Sequence, residues 1–358
     1  MLSKTRVLDA LRHETHDGDL GTLLAFVEGS ELGQWTTIHD NDSNKTIASF
    51  AICSHTGAMN AMAAGILTKK LAMQFLTDIR ARLQSATRRA IENEKGYVID
   101  VNLGSGGQAK SSLYYVFKDA GVYCGKAYAD DPVSMEHERS VSLAVHSMQA
   151  VPTLIKVIDA FHSGSHSVLI LPLLAKSAAD LQMARPNGIS CEAAAYVCVA
   201  VLAAVAGLAN EGWCHADIKP ANIMLAGNEK GAVLVDLGSC TRVGEEIKEC
   251  TELYALGLPR VAGLQWDLTC LASTLCVLSG FSQLLGSTVV QVQASLVGLQ
   301  GQLPLGCQLA MCILGHSENV NSVADLQARV WEDVMGLVQG SLGEETAKRL
   351  VAAWPSPL

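Results

Sequence analysis

The 358-residue chain is short of charge: Asp, Glu, Lys and Arg make up 17% of it, against 49% hydrophobic residues. That balance excludes a disordered, solvating chain and predicts a packed core. Basic residues are the scarcer sign, 26 against 35 acidic, for a net charge of −9. This is the wrong sign for a protein held on phosphate backbones, so nucleic acid is not an expected partner. No two of the eleven cysteines stand in a CxxC pair, and an odd, scattered set reads as free buried thiols of a reducing compartment. The opening residues, MLSKTRVLDALRHETHDGD, place charge inside every apolar run. They hold no secretory h-region, and the expected location is intracellular and cytoplasmic. Internal repeats and low-complexity tracts are also missing.

What is present sorts by texture. The run at 193–209, AAAYVCVAVLAAVAGLA, is at the short limit for a bilayer span and leads directly into a polar motif. It reads as a buried core helix, and no membrane span is expected. The polar cluster HDNDSNKT at 39–46 reads as a loop, and its two Asn-x-Ser/Thr patterns as loop residues. Between 66 and 91, Leu67, Leu71, Phe75, Ile79 and Leu83 recur every four positions with Lys and Arg between them, an amphipathic helix. After residue 96 come three strand-like segments, YVIDVNLG, SLYYVF and GVYCGKAY, then from about 180 mostly helix. Strands followed by helices imply an α+β architecture in two lobes.

Residues 213–225, WCHADIKPANIML, followed by VLVDLG at 233–238, carry the chemistry. The first resembles the catalytic loop of protein kinases, H-R-D-x-K-x-x-N, and the second their metal-binding D-F-G element. Phosphoryl transfer needs a positioned hydroxyl, a charge clamp and a divalent metal, with little covalent work from the protein. The resemblance makes Asp217 the group that orients the attacking hydroxyl and Lys219 the cation that neutralises the transferring phosphoryl group. It makes Asn222 and Asp236 the ligands of Mg2+ or Mn2+, and His215 a structural group bonded to backbone. The D-x-K-P-x-N form is that of serine/threonine kinases.

Further upstream, NLGSGGQAK at 102–110 is similar to the glycine-rich loop over ATP, with Gly104, Ser105, Gly106 and Gly107 bringing backbone amides to phosphate. Lys126 stands where the phosphate-gripping lysine belongs. Of Glu136 and Glu138, the latter is preferred as its partner because Val141 and Val145 share its helical face. SVLILPLLAKSAADL at 167–181 resembles the adenine hinge, with Leu171 as gatekeeper and 172–174, including Leu174, supplying the adenine edge. Thr251 is placed to hydrogen-bond Asp217 and Lys219, and Asp267 to receive catalytic-loop amides. Cys240 reads as an inert buried thiol.

The resemblance implies a two-lobed protein-kinase-like fold with a small β-rich N-lobe (96–173) and a larger α-helical C-lobe (174–345). A helical N-terminal extension (1–95) and a tail (346–358) flank it. Three departures stand out: Ala216 replaces the arginine of H-R-D, Leu237 the phenylalanine of D-F-G, and 256–258, Leu-Gly-Leu, the Ala-Pro-Glu element. The implied activity is transfer of the γ-phosphate of Mg-ATP to protein Ser/Thr hydroxyls. A pseudokinase or nucleotide-binding scaffold and a small-molecule phosphotransferase remain as alternatives, the latter favoured by the missing Ala-Pro-Glu.

Overall fold

Strand-forming segments rich in Val, Tyr and Phe precede the long apolar helices, as the pattern predicts. The computed structural model describes residues 35–40, 45–50, 96–105, 111–118, 121–129, 131–148, 151–163, 166–174, 176–225, 231–299 and 303–351. The chain divides into two compact units, residues up to 104 with 113–125, and 105–112 with 126–358.

In the first unit, β1 (Trp35–Asp40) and β2 (Lys45–Phe50) form an antiparallel pair, Trp35 opposite Phe50 and Asp40 opposite Lys45. The polar cluster at 39–46, expected as a loop, therefore begins and ends in strands. Backbone pairing outweighs the low strand propensity of its Asp and Lys. The helix expected over 66–91 lies outside the described residues. β3 (Val98–Ser105), β4 (Ser111–Lys118) and β5 (Gly121–Ala129) are the three segments read as strands. Buried Tyr97 meets Tyr123 edge to face at 6.2 Å, with the Lys118 ammonium 4.6 Å above its ring centre.

β6 (Asp159–Ser163) and β7 (His166–Pro172) are antiparallel, with Asp159 opposite Ile170 and Ser163 opposite His166. In the second unit α1 (Pro132–Met148) starts with proline in its first turn, where no amide is needed, and Asp131 accepts from the Ser134 amide at 3.0 Å. After β8 (Lys176–Ser177), α2 (Ala178–Ala184) is fixed by a Ser177/Asp180 capping box.

The apolar run becomes α3 (Cys191–Asn210), capped by Ser190, with its residues from Ala193 to Leu208 buried except Tyr196. A helix apolar all round belongs inside a lobe. It packs on α4 (Leu264–Leu278) and α6 (Leu305–His316). Among the described residues it is the one helix long and apolar enough to cross a membrane, and most of it is covered by protein. At Gly207 a Cβ would lie 2.8 Å from Val151 Cγ2, so only glycine permits that approach. α5 (Val289–Val297), α7 (Glu332–Leu342) and α8 (Glu344–Val351) complete the helices used below. α8 continues past 345, where the sequence reading ended the domain.

Short strands frame the site. β9 (Trp213–Cys214) pairs with β12 (Thr241–Arg242), and β10 (Ile223–Leu225) lies between β8 and β11 (Ala232–Leu234). Residues 215–222 thus form a loop held at both ends, and Asp236 leaves the end of β11.

Candidate active site

The loop between β9 and β10 is held from beneath by Asp267, in the first turn of α4 and 1% exposed. Its carboxylate accepts the His215 amide at 2.7 Å and the Ala216 amide at 3.0 Å, the pattern its position predicts. Burial raises the Asp267 carboxyl above its usual range, although His215 and the two amides pull it down. Ala216 adopts a left-handed φ of 67°, and the indole N–H of Trp266 donates to its carbonyl at 3.0 Å. His215, fully buried, lies with Nε2 3.0 Å from the Val235 carbonyl, tying the loop to the strand that delivers Asp236.

So held, the loop presents Asp217 at 7% exposure. Asp217 Oδ2 receives Lys219 Nζ at 2.6 Å and Asn222 Nδ2 at 3.0 Å, while Oδ1 receives the Thr251 amide at 2.8 Å. Lys219 Nζ also donates to Thr251 Oγ1 at 2.9 Å, closing the contact with Asp217 that the sequence anticipates. Because the Asn222 amide nitrogen is spent on Asp217 Oδ2 and the Asp217 carbonyl, oxygen is the remaining polar atom of that side chain.

A second cluster faces it. Lys126, 7% exposed on β5, donates to Glu138 Oε2 at 2.8 Å and to Asp236 Oδ1 at 2.5 Å. Burial disfavours the ammonium, but Glu138 and Asp236 outweigh it and hold the Lys126 pKa well above that of an ordinary lysine. For Asp236 the opposition is reversed: burial raises its carboxyl, and Lys126 overcomes that to hold it below its ordinary value. Asp236 sits at φ 67°, a left-handed conformation that a short polar side chain tolerates.

Glu138, fully buried, also accepts from the Tyr128 hydroxyl, while its Oε1 has no hydrogen-bond partner. Glu136 is exposed and pairs with Arg139. Two residues apart on a helix is about 200° of rotation, so only one of the two glutamates can face Lys126. α1 packs on the turn after Asp236, which holds Gly238. A Cβ there would stand 3.4 Å from Asp236 Oδ1 and 3.7 Å from Glu138 Oε2.

Lys126, Asp217, Lys219 and Asp236 line one cavity, together with Ser111, Tyr128, Ser134 and Glu249. Sequence reasoning missed Tyr128. The signal was available, since residues i and i+2 of a strand share a face. Of the predicted nucleotide contacts, Gly104 and Ser105 end β3, while Gly106 and Gly107 lie outside the described residues. Leu171 is buried at the end of β7 and Leu174 is half-buried beyond it, and neither lines this cavity.

Beyond Asp236, Leu237 is fully buried, so the phenylalanine position of D-F-G keeps an apolar plug. Cys240 is 3% exposed, and burial pushes its thiol well up, the state of an inert cysteine. The following segment folds back on itself. The Gly244 amide donates to the Ala262 carbonyl, the Ala262 amide to the Glu245 carbonyl, and the Ile247 amide to the Arg260 carbonyl, at 2.8, 2.9 and 3.0 Å. Its turn is made by Leu256 and Gly257, both at positive φ, with Leu256 2% exposed. Backbone pairing and a buried leucine close the segment where an Ala-Pro-Glu element is missing.

Residues 97–256 match the family model described as the protein kinase domain. The chain carries a protein kinase domain. Over 186 residues it is 23% identical to the serine/threonine-protein kinase YabT of Bacillus subtilis (strain 168), covering 51% of this chain and 54% of that one. The match thus spans about half the length of that relative. Within the kinase domain a β-strand N-lobe precedes a helical C-lobe, as the order of elements shows.

Proposed function

We propose that this kinase domain is catalytically competent and transfers the γ-phosphate of ATP, with Mg2+, to Ser or Thr hydroxyls of protein substrates. The observation that carries the reading is the pairing of Asp217 with both Lys219 and Thr251, beside an intact Lys126–Glu138–Asp236 cluster. Asp217 is held by three donors in a loop anchored from beneath, so its carboxylate is oriented before substrate arrives, which is what proximity and general-base catalysis require. An acceptor hydroxyl gives its proton to the Asp217 carboxylate. Lys219, already beside that carboxylate, offsets negative charge on the phosphoryl group as it moves.

Asn222 and Asp236 offer hard oxygen donors that would hold a magnesium ion, and the ion would supply neutralisation of the charge on the terminal phosphates. Lys126 holds the α and β phosphates and is itself fixed by Glu138. The name of the Bacillus relative supports Ser/Thr specificity, as does the D-x-K-P-x-N loop. The ordered segment ending at Leu256 gives a protein substrate a surface next to Asp217, which favours protein over small-molecule acceptors.

The test is transfer of labelled γ-phosphate from Mg-ATP to the protein itself and to Ser/Thr peptides, wild type against Asp217→Asn. Loss of the base is expected to lower the rate about 10²–10⁴-fold. A folded wild type with no transfer overturns the reading and leaves a nucleotide-binding scaffold.

A further inference from the structure

Away from the phosphate site, α6 and α7 bring together three side chains that the kinase reaction does not use. Cys312 and His316 lie four residues apart on α6, hence on one face about one turn apart. Asp333, in the first turn of α7, meets them, and α6 packs along α7. The Cys312 sulfur, a His316 ring nitrogen and an Asp333 oxygen all lie within 4.8 Å of one another. His316 Nε2 is 2.7 Å from Asp333 Oδ2. Cys312 and His316 are half-buried, whereas Asp333 is 61% exposed, so an ion has an open approach from solvent.

From this we infer that Cys312, His316 and Asp333 form a binding site for a borderline-soft divalent cation, Zn2+ foremost, with solvent as fourth ligand. A thiolate, an imidazole and a carboxylate are the three ligand types zinc accepts, at bonds of about 2.0–2.3 Å. Around a tetrahedral ion such ligand atoms stand about 3.3–3.8 Å apart. His316 Nε2 and Asp333 Oδ2, at 2.7 Å, stand closer than that, and all three ligand atoms lie within 4.8 Å, so modest side-chain rotation, led by exposed Asp333, closes the site. Magnesium and calcium, which take oxygen sets, are poor matches for a site with sulfur and nitrogen. The bound ion pins α7 to α6 and so stiffens the end of the C-lobe. A surface ion pair uses His316 and Asp333 alone, whereas a metal ion uses the thiol of Cys312 as well.

The test uses the full chain, stripped with a chelator and titrated with Co2+ as a spectroscopic substitute for zinc. One Co2+ per chain is expected, with a sulfur-to-cobalt charge-transfer band and tetrahedral visible absorption, both displaced by Zn2+. Cys312→Ser should abolish the charge-transfer band. Asp333→Asn, at an exposed position whose shape is kept, should weaken Co2+ binding at least about tenfold while the fold, followed by circular dichroism, is retained. The idea fails if wild type shows no charge-transfer band. It fails equally if the band survives Cys312→Ser, which would place the ion on another of the eleven cysteines, or if Asp333→Asn binds cobalt as tightly as wild type.

Discussion

Lys126 and Glu138 offer the sharpest test of how this site is held together, because their side chains are 9% and 0% exposed and solvent screens the pair little. Removing one member of a buried pair costs about 3–5 kcal/mol, chiefly because the other charge stays buried. The two single variants should not be equal. After Glu138→Leu the ammonium keeps Asp236, so the cost falls near the lower end of that range. After Lys126→Met the carboxylate keeps only the Tyr128 hydroxyl, with Oε1 already unpartnered, and the cost falls near the upper end. The double variant removes both charges and restores apolar volume. Its remaining losses are the Tyr128 hydroxyl left without its acceptor, about 1–3 kcal/mol, and Asp236 left without Lys126, the second of which the Lys126→Met variant shares. It is therefore expected to be more stable than Lys126→Met, with non-additivity of about 3 kcal/mol or more. Urea unfolding of the four proteins measures this, since at slopes of about 1–3 kcal/mol/M the single variants move by about 1 M or more. Additive losses would refute the picture of a charge pair held for position at a cost in desolvation.

Other outcomes are as definite. Thr251→Ala removes the hydroxyl that Lys219 contacts and should lower phosphotransfer about tenfold, the equivalent of one hydrogen bond, with Thr251→Ser restoring it; equal rates for Ala and Ser would show that this bond does not position Lys219. Asp267→Ala deletes the acceptor of two backbone amides and should cost about 3–6 kcal/mol in unfolding free energy, with Asp267→Asn, which keeps one oxygen, near half that. In pH dependence, the lowered carboxyl of Asp236 contributes stability above its ordinary 3.8 that is lost as pH falls through the folded value. The raised Lys126 contributes below 10.5 and loses its contribution as pH rises through its folded value. The stability gap between wild type and Asp236→Asn should accordingly be flat through neutrality and shrink in acid; a gap that changes between about pH 6 and 8 would contradict the assignment.

Much of the site was legible in the sequence, because its decisive residues are contiguous: 215–222 and 236–238 carry the two motifs on which the resemblance to protein kinases rests. The order of strands and helices was legible from periodicity. The choice of Glu138 over Glu136 needed helix phase, which neighbouring Val141 and Val145 supplied. What could not be read was carried by backbone or by distant elements. The closure of 244–262 is made of amides and carbonyls, which leave no trace in residue type. Cys312 and His316 lie four apart, but nothing in the sequence says that Asp333 meets them.

The departures from the kinase pattern follow the same logic. Ala216 holds a left-handed φ because Asp267 and Trp266 grip its amide and carbonyl, so the geometry of the loop does not depend on an arginine side chain at that position. Such a conformation costs about 1–3 kcal/mol for a residue with a Cβ and persists only when its surroundings over-determine it. Leu256 and Gly257 make the closing turn in place of an acidic anchor. At both points backbone hydrogen bonds and apolar burial occupy the place of a charged side chain, and buried charges gather at the cavity lined by Lys126, Asp217 and Asp236. Phosphotransfer should then depend strongly on Lys126, Asp217 and Asp236. Exposed charges along the segment, such as the Arg260–Glu252 pair, should matter little. A Glu252→Gln variant with near-wild-type transfer, beside an inactive Asp217→Asn, is the result this division of labour requires.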